Sequence, residues 1–161
     1  MQFLWIVILV LIVLFLLHFF KRRAKEKNLK KNKTVTDLAV VNCLHQMSLI
    51  KVENSELFPQ KVFSMSQPVA SFWGQEVNVF SYCFTLTAKS AVTIKKIRAE
   101  LNSLLKNYEQ QRQLTTKYYQ QALIVSDCWL ENNQLNIDVA YVTNQATANY
   151  LIDVRRAEKD H

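Results

Sequence analysis

Asp127 and Asp138 are the paired carboxylates this sequence offers, because a two-residue turn at Asn132 and Asn133 would set them opposite each other on a hairpin. Two close carboxylates can share a proton or hold a cation. On the solvent face of a sheet they are instead two exposed acids, and Trp129 beside them turns that face toward protein contact. The expected partner surface is therefore Asp127, Trp129, Asn136 and Asp138, and a cation-dependent enzyme built on the two aspartates is an outlying alternative. Cys43 and His45 lie two apart on a helical stretch, about 200° around the axis, and do not pair as nucleophile and base. The chain has one glycine, Gly74, whereas phosphate-cradling loops need several, so neither a P-loop nor a dinucleotide fingerprint is present. H-E-x-x-H and G-x-S-x-G are absent as well. These observations lead us to expect a non-enzyme with no catalytic residues, no cofactor and no metal site.

Cys43, Cys83 and Cys128 are an odd, widely spaced set without C-x-x-C or zinc spacing, so no disulfide framework is indicated. Cys83 and Cys128 fall in apolar strand patterns, where a free cysteine acts as a small buried hydrophobe, in keeping with a reducing compartment.

The elements that position these residues read as one α+β domain over residues 34–161. Thr34 and Asp37 resemble a capping box, and Leu38, Val41, Leu44 and Met47 follow at helical spacing, predicting a first helix to about residue 50. Residues 53–60 read as a connection, and 61–65 and 69–73 as short extended pieces, with Pro68 demoting the stretch to an edge strand or bulge. Residues 77–87 alternate, placing Phe80, Tyr82, Phe84 and Leu86 on a core face. From Ser90 to Arg112, Ile94, Ile97, Leu101, Leu104 and Tyr108 form a helical stripe suited to packing on the domain's own sheet.

The hairpin over 122–142 pairs Leu130 with Leu135, Cys128 with Ile137, Ser126 with Val139 and Ile124 with Tyr141 on its apolar side. Its other side pairs Trp129 with Asn136 and Asp127 with Asp138. A polar stretch over 143–149 and a short closing helix over 150–156 complete the reading. The expected fold is a β-β-α-β-β-type domain with a mainly antiparallel sheet and helices packed on it.

Ahead of this domain, eighteen residues without formal charge, 3–20, run into a segment, 21–33, with eight basic residues and one acid. A helix of that length spans about 27 Å, close to a hydrocarbon core of roughly 30 Å, which predicts an uncleaved single transmembrane helix over 1–20. The basic run after it, a juxtamembrane tether, places the N-terminus outside and residues 34–161 in the cytoplasm. Trp5, Lys21, Arg22, Arg23, Lys25 and Lys27 are the expected membrane and lipid contacts. The net charge of +7 resides in 21–33, since 34–161 carries twelve basic and twelve acidic residues, so the folded part is not expected to bind nucleic acid directly.

The order of apolar segment, basic run, helix, strand 77–87, helix 90–112 and hairpin 122–142 resembles the membrane-proximal, non-ATPase region of FtsK/SpoIIIE-like coupling proteins of Gram-positive conjugative elements. The resemblance is one of layout and rests on no diagnostic motif. It implies a non-catalytic membrane module of a conjugative, type IV secretion-like complex that recruits or positions a coupling ATPase or channel component. A general membrane-tethered scaffold of another secretion, phage or cell-envelope system is the alternative. Protein partners are expected in either case.

Overall fold

The computed structural model describes residues 2–47, 67–68, 76–86, 93–132 and 134–158, with side chains described for all of these except 2–8, 10, 67 and 68. The chain divides into two compact units, Met1–Lys31 and Asn32–His161. The fold is α+β: helix α1 (Gln2–Gln46), strands β1 (Gln67–Pro68) and β2 (Val79–Thr85), helix α2 (Ile94–Arg112), strands β3 (Leu123–Glu131) and β4 (Gln134–Tyr141), and helix α3 (Gln145–Ala157).

The membrane-spanning anchor expected over 1–20 is not supported. Among the described residues no helix is long and apolar enough to cross a membrane.

The helix expected to begin after a tether, near residues 34–36, has no separate start. Residues 21–33 are mostly Lys and Arg and contain neither Gly nor Pro, so nothing interrupts α1. Thr36 does not act from a cap: its Oγ1 donates back to the carbonyl of Asn32 at 2.9 Å, within the helix. Lys33 and Asp37 form an i,i+4 ion pair at 2.7 Å. Past this point α1 buries Ala39, Val40, Val41, Cys43 and Leu44, and Met47 just beyond its end is buried too, whereas Leu38, expected in that stripe, is exposed.

The sheet is four-stranded and antiparallel in the order β1-β2-β4-β3. Pro68 sits in β1 at an edge, the position open to a residue without a backbone N–H. One face carries Phe80, Tyr82 and Phe84 of β2 opposite Val139, Ile137 and Leu135 of β4, and all six are buried. α2 packs along β3 and buries Ile97, Leu101, Leu105 and Tyr108, so Leu105 replaces the expected Leu104 in the stripe. The Tyr82 hydroxyl donates to the Asp37 carboxylate at 2.8 Å, which fastens the end of α1 to the same face. On the opposite face, Val79, Ile124, Ala140 and Val142 pack with Ala148, Tyr150 and Leu151 of α3.

β3 is an edge strand, and α2 covers its open hydrogen-bonding groups. Arg98 donates to the Ser126 carbonyl at 2.8 Å and Asn102 Oδ1 accepts the Val125 N–H at 2.9 Å. Glu109 accepts the Leu123 N–H one strand step further on. Positions 98, 102 and 109 recur at helical spacing, so one polar stripe of α2 caps the edge that would otherwise be a template for further strands.

Among the described residues, two turns use residues other than glycine in the left-handed region. Gln113 (φ 54°) ends α2, with the Leu114 N–H reaching the Glu109 carbonyl at 2.9 Å, and Asn132 (φ 48°) lies at the hairpin turn. α3 begins at Gln145, earlier than the expected closing helix, because Asn144 caps it by accepting the Thr147 N–H at 2.9 Å. The expected pieces at 61–65 and 69–73, the connection at 53–60, and Ser90 and Gly74 lie outside the described residues.

Candidate functional site

The hairpin register sets Asp127 opposite Asp138 and Trp129 opposite Asn136, bringing the four expected partner-surface residues onto one face. Toward the other end the register differs from expectation. A bulge between Val125 and Asp127 leaves Ser126 without a strand partner, so Val125 faces Val139 and Leu123 faces Tyr141. The bulge gives Ser126 its own use: its hydroxyl donates to the Asp138 carbonyl at 3.1 Å.

The four residues are not equally available. Trp129 and Asp127 are exposed, Asn136 is half-buried, and Asp138 is half-buried beneath a short hydrogen bond from the Ser81 hydroxyl on β2. Burial raises the Asp138 carboxyl above its ordinary value, the Ser81 bond pulls it down, and the Asp127 charge adds to the rise. Tyr150 lies within reach of the same polar group; burial pushes its hydroxyl up, a hydrogen bond with Ser126 opposes this, and both aspartates reinforce it. The network can share protons, but the Asp138 carboxylate is engaged by the Ser81 hydroxyl, and no group of three or more His, Cys, Asp or Glu among the described residues could hold a metal ion.

The cysteines are similarly occupied. Burial pushes the Cys43 thiol up to about 12 and the Cys128 thiol up to about 11, values that disfavour the nucleophilic thiolate. Cys83 is half-buried on the outer face of β2 opposite Asn136.

In the first unit, Lys21, Arg22, Arg23, Lys25 and Lys27 are exposed on α1. Arg22 pairs with Glu26 at 3.3 Å, and the Arg23 guanidinium lies 4.7 Å from the Phe19 ring centroid. The side chain of Trp5 lies outside the described residues. Residues 11–17, 19 and 20 are all exposed, with Phe15 at 69% and Phe20 at 64%, so the helix is apolar around its circumference.

Sequence reasoning missed a basic recess of the second unit. Lys117, Tyr118 and Tyr119, between α2 and β3, meet Ile152, Arg155 and Arg156 of α3 around a cavity of about 630 Å³. The consecutive tyrosines beside Lys117 and the consecutive arginines of the last helical turn were its only signals, and nothing local shows that they converge.

Compared with known protein families, curated proteins and solved structures, the chain matches none. Nothing in these comparisons identifies it as an FtsK/SpoIIIE-like module.

Proposed function

We propose that this protein is a non-catalytic, membrane-associated adaptor whose Asn32–His161 unit recruits a protein partner. The observation that carries the reading is the apolar circumference of α1 over residues 11–17, exposed and followed, after His18 and two exposed phenylalanines, by exposed Lys and Arg. Exposed apolar side chains of this kind suit contact with a lipid surface, and the adjoining cations suit anionic headgroups at about 1 kcal/mol each. Engagement of Asp138 by Ser81 and the raised Cys43 and Cys128 thiols support a binding role over catalysis. The conjugative transfer complex remains the assembly favoured by layout, with another secretion, phage or envelope system as its competitor.

Flotation tests this reading. Full-length protein diluted from mild detergent onto vesicles of neutral and anionic phospholipid should rise with them, and Leu14→Asp/Leu17→Asp should remain in the dense fraction. Failure of the wild type to float would refute lipid contact.

A further inference from the structure

The recess beside α3 has a composition that the adaptor reading does not by itself require. Lys117 places its ammonium 5.3 Å from the Tyr118 ring centroid, and the Arg155 guanidinium lies 5.2 Å from that of Tyr119. Both tyrosines are half-buried against the Val79, Ala140 and Leu151 cluster, so the platforms beneath the cations are held by the core. Arg156 has only a loose contact with Asp153, 3.8 Å between well-exposed groups. Among the described residues neither Lys117 nor Arg155 forms an ion pair with an acid, while nearby Glu158 is committed to Arg98 at 2.6 Å. Three cations and no acid therefore line a cavity of about 630 Å³, and the exposed Ile152 adds an apolar step to its wall.

We infer that this recess binds an acidic peptide segment of the protein partner, carboxylates meeting Lys117, Arg155 and Arg156 and an aliphatic side chain meeting Ile152. The inference rests on the adaptor reading, whose partner it characterises. A guanidinium stacked on a ring keeps its N–H edge available, and that edge matches a carboxylate in a two-pronged hydrogen bond. Tyr and Arg are the side chains that dominate protein interfaces. Single-stranded nucleic acid is the less suited polyanion, because stacking of bases needs open ring faces and here cations lie over them.

The test is fluorescence anisotropy with full-length protein in mild detergent and a labelled twelve-residue peptide, four repeats of Glu-Glu-Leu. Glutamine replaces Lys21, Arg22, Arg23, Lys25, Lys27, Lys30 and Lys31 in every sample, so that the helix cannot bind the probe. Lys117→Glu/Arg155→Glu should weaken binding at least tenfold, and Arg155→Lys should weaken it about threefold, since an ammonium keeps the charge and loses the planar fork. If the double variant fails to fold, as judged by its thermal melt, Lys117→Gln and Arg155→Gln measured singly carry the comparison. Absence of peptide binding, unchanged affinity in the recess variants, or tighter recess-dependent binding of a twelve-nucleotide oligothymidine would each overturn the inference. Flotation separates the two readings: peptide binding that is absent, or unaffected by the recess substitutions, while the otherwise wild-type protein floats sinks the recess alone, whereas failure of the wild type to float sinks the adaptor reading.

Discussion

Glu109 shows how one side chain can serve the fold at an electrostatic cost. It is buried, and burial raises its carboxyl above the ordinary value although the N–H groups of Leu123 and Ala122 and the Lys106 charge pull it down. The folded state therefore holds this proton more tightly than the unfolded chain, so stability should fall as pH rises from the unfolded carboxylate range, near 4.3, through the folded value. Glu109→Gln keeps an acceptor for Leu123 and removes the charge; denaturant unfolding between pH 4 and 8 should show a shallower decline, with Asp138 supplying the remainder in the same direction. Glu109→Ala should cost about 1–3 kcal/mol at pH 4, the range for an unsatisfied buried donor, and less as the pH rises. A steeper decline in the Gln variant would contradict the assignment. The hairpin offers a second contrast: Ile137, fully buried, should cost about 2–5 kcal/mol when cut to Ala, whereas exposed Trp129 should cost well under half as much. Equal losses in thermal melts would mean that the two faces are energetically alike.

At the scale of elements, the legible parts were those with a short period and a local cause. Two-residue alternation identified β2, and the paired asparagines with matching faces identified the β3–β4 hairpin. The bulge at Ser126 was not legible, because its reason is the Asp138 carbonyl across the sheet rather than any neighbour in sequence. Arg98, Asn102 and Glu109 looked like the solvated side of a lysine- and glutamine-rich helix, since a polar residue capping a strand edge has the same composition as one facing water. Thr34 to Asp37 imitated a helix start, while the absence of Gly or Pro over 21–33 let α1 run through it. The end of α1 is fastened by Asp37, almost fully buried between Lys33 and the Tyr82 hydroxyl. Tyr82→Phe removes one hydrogen bond to a charged group and should cost about 1.5–3 kcal/mol. Asp37→Ala strands the hydroxyl and the ammonium together and should cost more, about 3–5 kcal/mol. Amide exchange over residues 32–46 should accelerate in both variants, and unchanged protection in Asp37→Ala would show that apolar packing alone holds this part of the helix.

For the whole molecule, the uneven distribution of charge matters more than its sum. The +7 of the chain lies in 21–33, and the remaining residues to the C-terminus balance. Duplex DNA should therefore bind the full-length protein only through α1, without sequence preference, and weaken steeply with salt. If about six phosphates are engaged, affinity should drop on the order of a thousandfold between 50 and 200 mM salt. Replacing Lys21, Arg22, Arg23, Lys25, Lys27, Lys30 and Lys31 by Gln should abolish that binding while the thermal melt stays in place, because these side chains are exposed; Lys33 is left intact because it pairs with Asp37. Filter binding across a salt series measures both the affinity and its slope. Retained binding with a steep slope in the substituted protein would move the nucleic-acid footprint onto the Asn32–His161 unit. A further loss on Lys117→Glu/Arg155→Glu would then identify the recess beside α3 as its site, against the peptide-binding role inferred for it.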